Sequence, residues 1–178
     1  MKTIQIKPSL LNYSKDLQHI PDPPKQLFVR GLLPSERVKT VAIVGTRKPS
    51  AYGREVATKI ASECVKNGII VVSGLALGID SVAHQAALDP NGTPAQPWRF
   101  LARNRIVSGL SDAVVIIEAA ARSGTLSTAN HALDQGKEVF AVPGNITSPL
   151  SAGCNQLIKN GANPLTSVED LLDFLIPD

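Results

Sequence analysis

Val41-Ala-Ile-Val-Gly45-Thr46-Arg47-Lys48-Pro49-Ser50-Ala51-Tyr52-Gly53-Arg54 is the stretch on which the fold turns. A branched apolar run ends in glycine and basic residues, and a helical pattern follows at once. This reads as strand, tight turn and helix N-terminus, an arrangement that aims backbone N–H groups at an anion. Gly45 lets the chain turn at the strand end, and Arg47 can grip a phosphate with two parallel hydrogen bonds where a lysine cannot. Thr46 and Lys48 complete the turn. The competing reading is a plain connection between strand and helix. Neither G-x-G-x-x-G nor G-x-x-x-x-G-K-[ST] follows the strand, which disfavours a dinucleotide or triphosphate pocket of those types.

Working outward, the rhythm is strand then helix: 41–44 into 52–67, 69–72 into 79–88, 113–118 into 125–135, then a strand at 138–142. Short helices are predicted at 103–110, 153–160 and 168–176. Such alternation predicts an α/β fold with a mainly parallel sheet between two helical layers. In the helix at 52–67, Val56, Ile60, Ala61 and Cys64 recur at helical spacing while Arg54, Lys59, Glu63 and Lys66 can face water. Residues 1–40 are rich in proline and read as an extended arm with a short strand at 27–29. Residues 41–178 then form the domain proper. The loops after the strands are expected to converge at one sheet edge, where open α/β sheets bind ligands.

The chain has 178 residues, enough for one domain with a single sizeable core. Hydrophobic residues make up 43% and charged residues 19%, which argues against disorder. Its apolar runs, such as Ile69-Ile-Val-Val72, are far shorter than a bilayer span, and the amino terminus lacks a signal pattern. A cytoplasmic protein with no membrane contact is the expectation. The formal net charge of +3 fits a polyanion partner if the charge gathers on one face, and a solvated surface otherwise. The two cysteines, Cys64 and Cys154, suggest neither a disulfide framework nor a metal site.

Two further loops repeat the logic of the first. Ser73-Gly74-Leu-Ala-Leu-Gly78-Ile-Asp80 offers small groups that permit close approach of a ligand. Asp80 reads as structural, a cap for the following helix, and His84 as its surface partner one turn on. Arg122-Ser123-Gly124-Thr125 brings a guanidinium, two hydroxyls and N–H groups together at a helix start, either a second anion nest or an ordinary cap. Trp98 and Phe100 lie beside Arg99, Arg103 and Arg105, a composition suited to stacking and cation–π contact with a single strand, or else to a core with solvated arginines. No metal-ligating set, nucleophile arrangement or carboxylate pair is visible, so catalysis has no carrier and no cofactor is expected.

Taken together, Val41–Pro49, Val72–His84, Phe100–Ile106, Arg122–Thr125 and Val139–Gly144 resemble the DNA-processing protein A (DprA/Smf) family, from about Pro21 to the carboxyl end. The resemblance implies an extended Rossmann-like fold that binds single-stranded DNA, forms a homodimer and helps load the recombinase RecA during natural transformation. It also implies a binding protein rather than an enzyme. DNA-contacting positions carry over onto Gly45, Thr46, Arg47, Lys48, Ser73, Gly74 and Arg122–Thr125. Arg103 and Arg105 match too, or brace the sheet instead. The Pro143–Asn145 turn is expected to shape the pocket floor. Leu171, Leu172, Phe174 and Leu175 are dimer candidates, or else close the core.

Members of that family carry a longer segment, with two further strands, where only Asp89–Arg99 stand here, and Leu101 replaces a common proline. A true deletion there would remove sheet strands and part of the groove wall. A second class of function stays open: a nucleotide phosphoribohydrolase of the lysine-decarboxylase-like type, whose Gly-Thr helix start is shared but whose glutamate is replaced by Thr128. A nucleotide-sensing module without turnover is a third.

Overall fold

The computed structural model describes residues 3–88 and 104–177. The segment carrying Trp98, Arg99, Phe100, Leu101 and Arg103 therefore lies outside the described residues. The chain runs β1 (Thr3–Ile6), β2 (Leu27–Arg30), β3 (Thr40–Gly45), α1 (Ala51–Lys66), β4 (Ile70–Val72) and α2 (Ile79–Leu88). From residue 104 onward come α3 (Asn104–Gly109), β5 (Ala113–Ile117), α4 (Thr125–Asp134), β6 (Glu138–Ala141), α5 (Ala152–Lys159), β7 (Asn163–Pro164) and α6 (Glu169–Leu175).

Five parallel strands stand in the order β4-β3-β5-β6-β7. Strands β3 and β5 are buried at every position, as their unbroken apolar runs require when helices cover both faces of a sheet. Alternate residues divide between the faces. Val41, Ile43, Val115 and Ile117 meet α1, α2 and α6 on one side. Ala42, Val44, Val114 and Ile116 meet α3, α4 and α5 on the other. The structure is thus the expected three-layer, Rossmann-like α/β/α arrangement.

Residues 1–40 depart from an extended arm. β1 and β2 pair antiparallel, and 3-10 turns at Pro8–Leu10 and Asn12–Gln18 follow β1. Tyr13, Leu17 and Ile20 are buried, and Leu17 and Ile20 pack so closely on α3 that a β-carbon at Gly109 would crowd both. Apolar burial, which prolines do not prevent, turns the arm into a buttress.

In α6, Leu171 and Leu175 are fully buried while Phe174 is 42% exposed, its ring tilted against Phe140 at 5.5 Å. Two of the dimer candidates therefore close the core. Leu171→Ala is expected to cost about 2–5 kcal/mol of stability in urea unfolding, and Phe174→Ala clearly less. Equal losses would show that α6 closes the core through both of its faces.

Candidate nucleic-acid interface

Adjacent parallel strands β3 and β5 send their helices to opposite faces of the sheet, α1 to one and α4 to the other. Their carboxyl ends part there and leave a crevice, the position at which such sheets bind ligands. The crevice holds about 520 Å³. Gly45, Thr46 and Arg47 line it from the β3 turn, Gly74 from the β4 loop, Asp80 from the first turn of α2, and Arg122, Ser123, Gly124 and Thr125 from the start of α4. The arginines at 47 and 122, distant in sequence, thus face one cavity.

Hydrogen bonds hold these walls in register. Thr125 Oγ1 donates to the Gly45 carbonyl at 2.9 Å, tying the start of α4 to the end of β3. Thr46 N donates to the Glu118 carbonyl at 2.7 Å, and Ile79 N to the Thr46 carbonyl at 3.1 Å. Asp80 Oδ1 accepts from Gly45 N at 3.2 Å and Oδ2 from Gly74 N at 2.9 Å. A β-carbon at position 45 would overlap the Ile117 carbonyl, so only glycine lets the two strand ends stand this close.

The α4 N-terminus lacks a side-chain cap hydrogen bond because Gly124 occupies the cap position. The Thr125 N–H is instead donated to Ser123 Oγ at 3.2 Å, and those of Leu126 and Ser127 to the Ser123 and Gly124 carbonyls, so what α4 brings to the crevice alongside Arg122 is the positive end of its dipole. Arg47 and Arg122 are both exposed. Among the described residues neither is in an ion pair, whereas Arg37 and Arg105 are. Guanidinium groups left without an internal counter-charge beside a helix N-terminus suit an external anion.

The remaining candidates fall elsewhere. Lys48 is exposed and outside the crevice lining. Ser73 is buried, accepts from Leu75 N, and lines an apolar groove of about 480 Å³ between β2, β4 and α3. Arg105 braces the amino-terminal segment: its Nε donates to the Asp22 carbonyl at 2.8 Å and pairs with the Asp22 carboxylate at 3.2 Å. That pairing arises because the buried Tyr13–Ile20 segment brings Asp22 over α3, which residue spacing cannot disclose. Gly144 bonds to Asn155 on α5, so the Pro143–Asn145 turn does not line the crevice. The Asp80–His84 pair does not form, since backbone N–H groups take the carboxylate and His84 Nδ1 has no partner.

Three residues to which the sequence assigned no part in DNA binding belong to the site. Asn104 and Thr128 line the crevice, and Glu118 anchors the turn beside it. A polar residue directly after an apolar strand, as Glu118 is, was the available signal. Both cysteines are free and buried, and burial pushes Cys64 up to about 12 and Cys154 to about 11, so neither is a thiolate near neutrality.

The model of the DNA recombination-mediator protein A family matches residues 6–94 and 89–176. The chain is 35% identical over 198 positions to the DNA processing protein DprA of Bacillus subtilis, covering 89% of this chain and 67% of that one. It is 37% identical to the Smf protein of Escherichia coli, over 92% of this chain and 54% of that one. The stretch aligned with the Bacillus protein exceeds the 178 residues of this chain, so that relative carries an internal segment absent here. The family match divides between α2 and α3, at 89–94. Among solved structures, DprA of Streptococcus pneumoniae superposes with a TM-score of 0.85 at 34% identity, over 98% of this chain and 75% of that one. DprA of Helicobacter pylori, solved for its mode of binding single-stranded DNA, superposes at 0.81 and 28%, over 99% and 96%. A molybdenum cofactor carrier protein from Chlamydomonas reinhardtii, 16% identical with a TM-score of 0.58, covers 80% of this chain and shares the fold.

Burial pushes the Asp80 carboxyl from 3.8 up to about 6, against backbone N–H donors that pull it down. A carboxyl whose folded value is raised gives stability that is fully present below its unfolded value and lost as pH rises through the folded one. Lowering the pH from 7 to 5 should therefore stabilise the protein relative to Asp80→Asn by about 1 kcal/mol. Chemical denaturation of both proteins across this range checks it, and a flat difference would refute a raised Asp80.

Proposed function

The chain belongs to the DNA recombination-mediator protein A family, and from that premise we propose that it binds single-stranded DNA as a recombination mediator, helping to load RecA during DNA uptake. The observation that carries the reading is the convergence of Arg47, Arg122 and the start of α4 on one crevice. Phosphodiester oxygens enter it and receive hydrogen bonds from the guanidinium groups and from the Ser123 hydroxyl, while Thr125, whose hydroxyl is donated to Gly45, holds the wall in place. Contacts of this kind are indifferent to base identity. Gly45 and Gly74 keep the walls low enough for a sugar-phosphate chain to lie against main chain.

Among the described residues no helix is long and apolar enough to cross a membrane, and the reading puts the protein in the cytoplasm with its DNA. A homodimer would bring two crevices into one particle, and of the candidates for that contact Phe174 is exposed, with the exposed Ile176 beside it. The reading is of binding without turnover. Thr128 lines the crevice where a phosphoribohydrolase would need a carboxylate. Incubation with adenosine monophosphate is expected to release no adenine, and base release would favour the enzyme.

Arg47→Ala and Arg122→Ala should each weaken binding of mixed-sequence oligonucleotides about tenfold or more, as removal of a charge-assisted hydrogen bond implies. The salt dependence should become shallower by about 0.7 for each phosphate no longer neutralised. Fluorescence anisotropy across salt concentrations measures both. Weakening confined to one base sequence would contradict a backbone contact.

A further inference from the structure

In an open α/β sheet, the helix that follows a switch-point strand ordinarily turns its N-terminal N–H groups toward an anionic ligand. Here the corresponding end of α1 is filled from within. Ser50 caps the helix, its Oγ accepting from Gly53 N at 3.1 Å. The Glu118 carboxylate accepts from Ser50 N at 2.9 Å and from the Ser50 hydroxyl. Glu118 is 7% exposed and sits directly after β5 with a left-handed backbone, φ 52°. A β-carbon at Gly53 would overlap this carboxylate, so the first turn of α1 is shaped to receive it. Among the described residues no cation pairs with Glu118, which leaves the helix end and Ser50 as its compensation.

We propose that Glu118 is a specificity-determining residue: a tethered anion that occupies the α1 N-terminus, denies it to a ligand phosphate, and directs phosphate to the α4 N-terminus instead. A phosphate competing for α1 must displace a carboxylate held at high effective concentration by its own chain. It would also strand that carboxylate, buried and unpaired. The same carboxylate places a negative charge on the α1 side of the Arg47 turn, so an incoming strand is steered to the other face of the sheet, where Arg122 stands. A mononucleotide that needs the end of the first helix is refused, while a phosphodiester chain that needs only the crevice is accepted. The identity of the ligand rests on the function proposed above. The choice between the two helix ends does not.

The test is an amide-resolved NMR titration of the full chain with inorganic phosphate. In the wild type, Gly124 and Thr125 should move while Ser50 and Gly53 stay still. In Glu118→Ala, Ser50 and Gly53 should respond as well, with affinity at that end raised about tenfold, as a charge at a helix terminus warrants. Glu118→Gln keeps the side chain's length without its charge and should show the same response more weakly, and it decides the matter if the alanine variant does not fold. Movement of Ser50 and Gly53 in the wild type, or stillness in a folded variant, would overturn the proposal. An oligonucleotide titration separates the two readings. Absence of oligonucleotide binding with the phosphate pattern intact removes the DNA reading alone, and oligonucleotide binding without that pattern removes this one alone.

Discussion

The parallel pairing of β3 with β5 is the contact on which the rest of the molecule depends. Residues 41–45 register against 113–117, all of β5 and all of β3 but its first residue, and every side chain in that pair is buried. Because the two strands send their helices to opposite faces, the sheet must open at their carboxyl ends. The core and the crevice therefore share one cause. A change that loosened Ile43 or Val115 would disturb the placement of Arg47 and Arg122 as surely as it lowered stability, since each arginine hangs from the end of one of these strands.

Strand ends carry N–H groups that need partners, and this protein meets much of that need with two carboxylates of its own. Asp80 reaches back from α2 to Gly45 and Gly74. Glu118 reaches from β5 to Ser50, and its carbonyl accepts from Thr46. Taking a carboxylate out of water is costly, and the raised Asp80 registers that desolvation. The compensation is preorganisation: loops that bind a flexible polyanion are held before it arrives, so less ordering is left to oppose association.

The described residues on either side of 89–103 form the central layers. Sheet order, both helical layers and the crevice form from residues on either side of 89–103. Among the described residues, the crevice is lined from the ends of β3 and β5, the loop after β4, and α2, α3 and α4. The amino-terminal residues show a complementary point. Proline-rich and without periodicity, they still bury Tyr13, Leu17 and Ile20, since sparse apolar residues suffice when α3 offers a glycine to pack against.

By itself, the sequence determined the order of strands and helices from β3 to β6 but not β1 or β7, because unbroken apolar runs of four or five residues and 3.6-residue periodicity report local backbone and burial on one or two faces. It also determined the chemistry of the Arg47 and Arg122 loops, since glycine, hydroxyl and guanidinium groups after a strand are suited to an anion wherever they fall. Tertiary structure decided which of those loops meet. Arg105 turned to Asp22 and Ser73 went to another groove. The α1 N-terminus, the end that the opening stretch of sequence aimed at an anion, closed on Glu118. Pairing across 68 residues of chain is a matter of sheet register and helix sidedness, which have no signature in neighbouring residues.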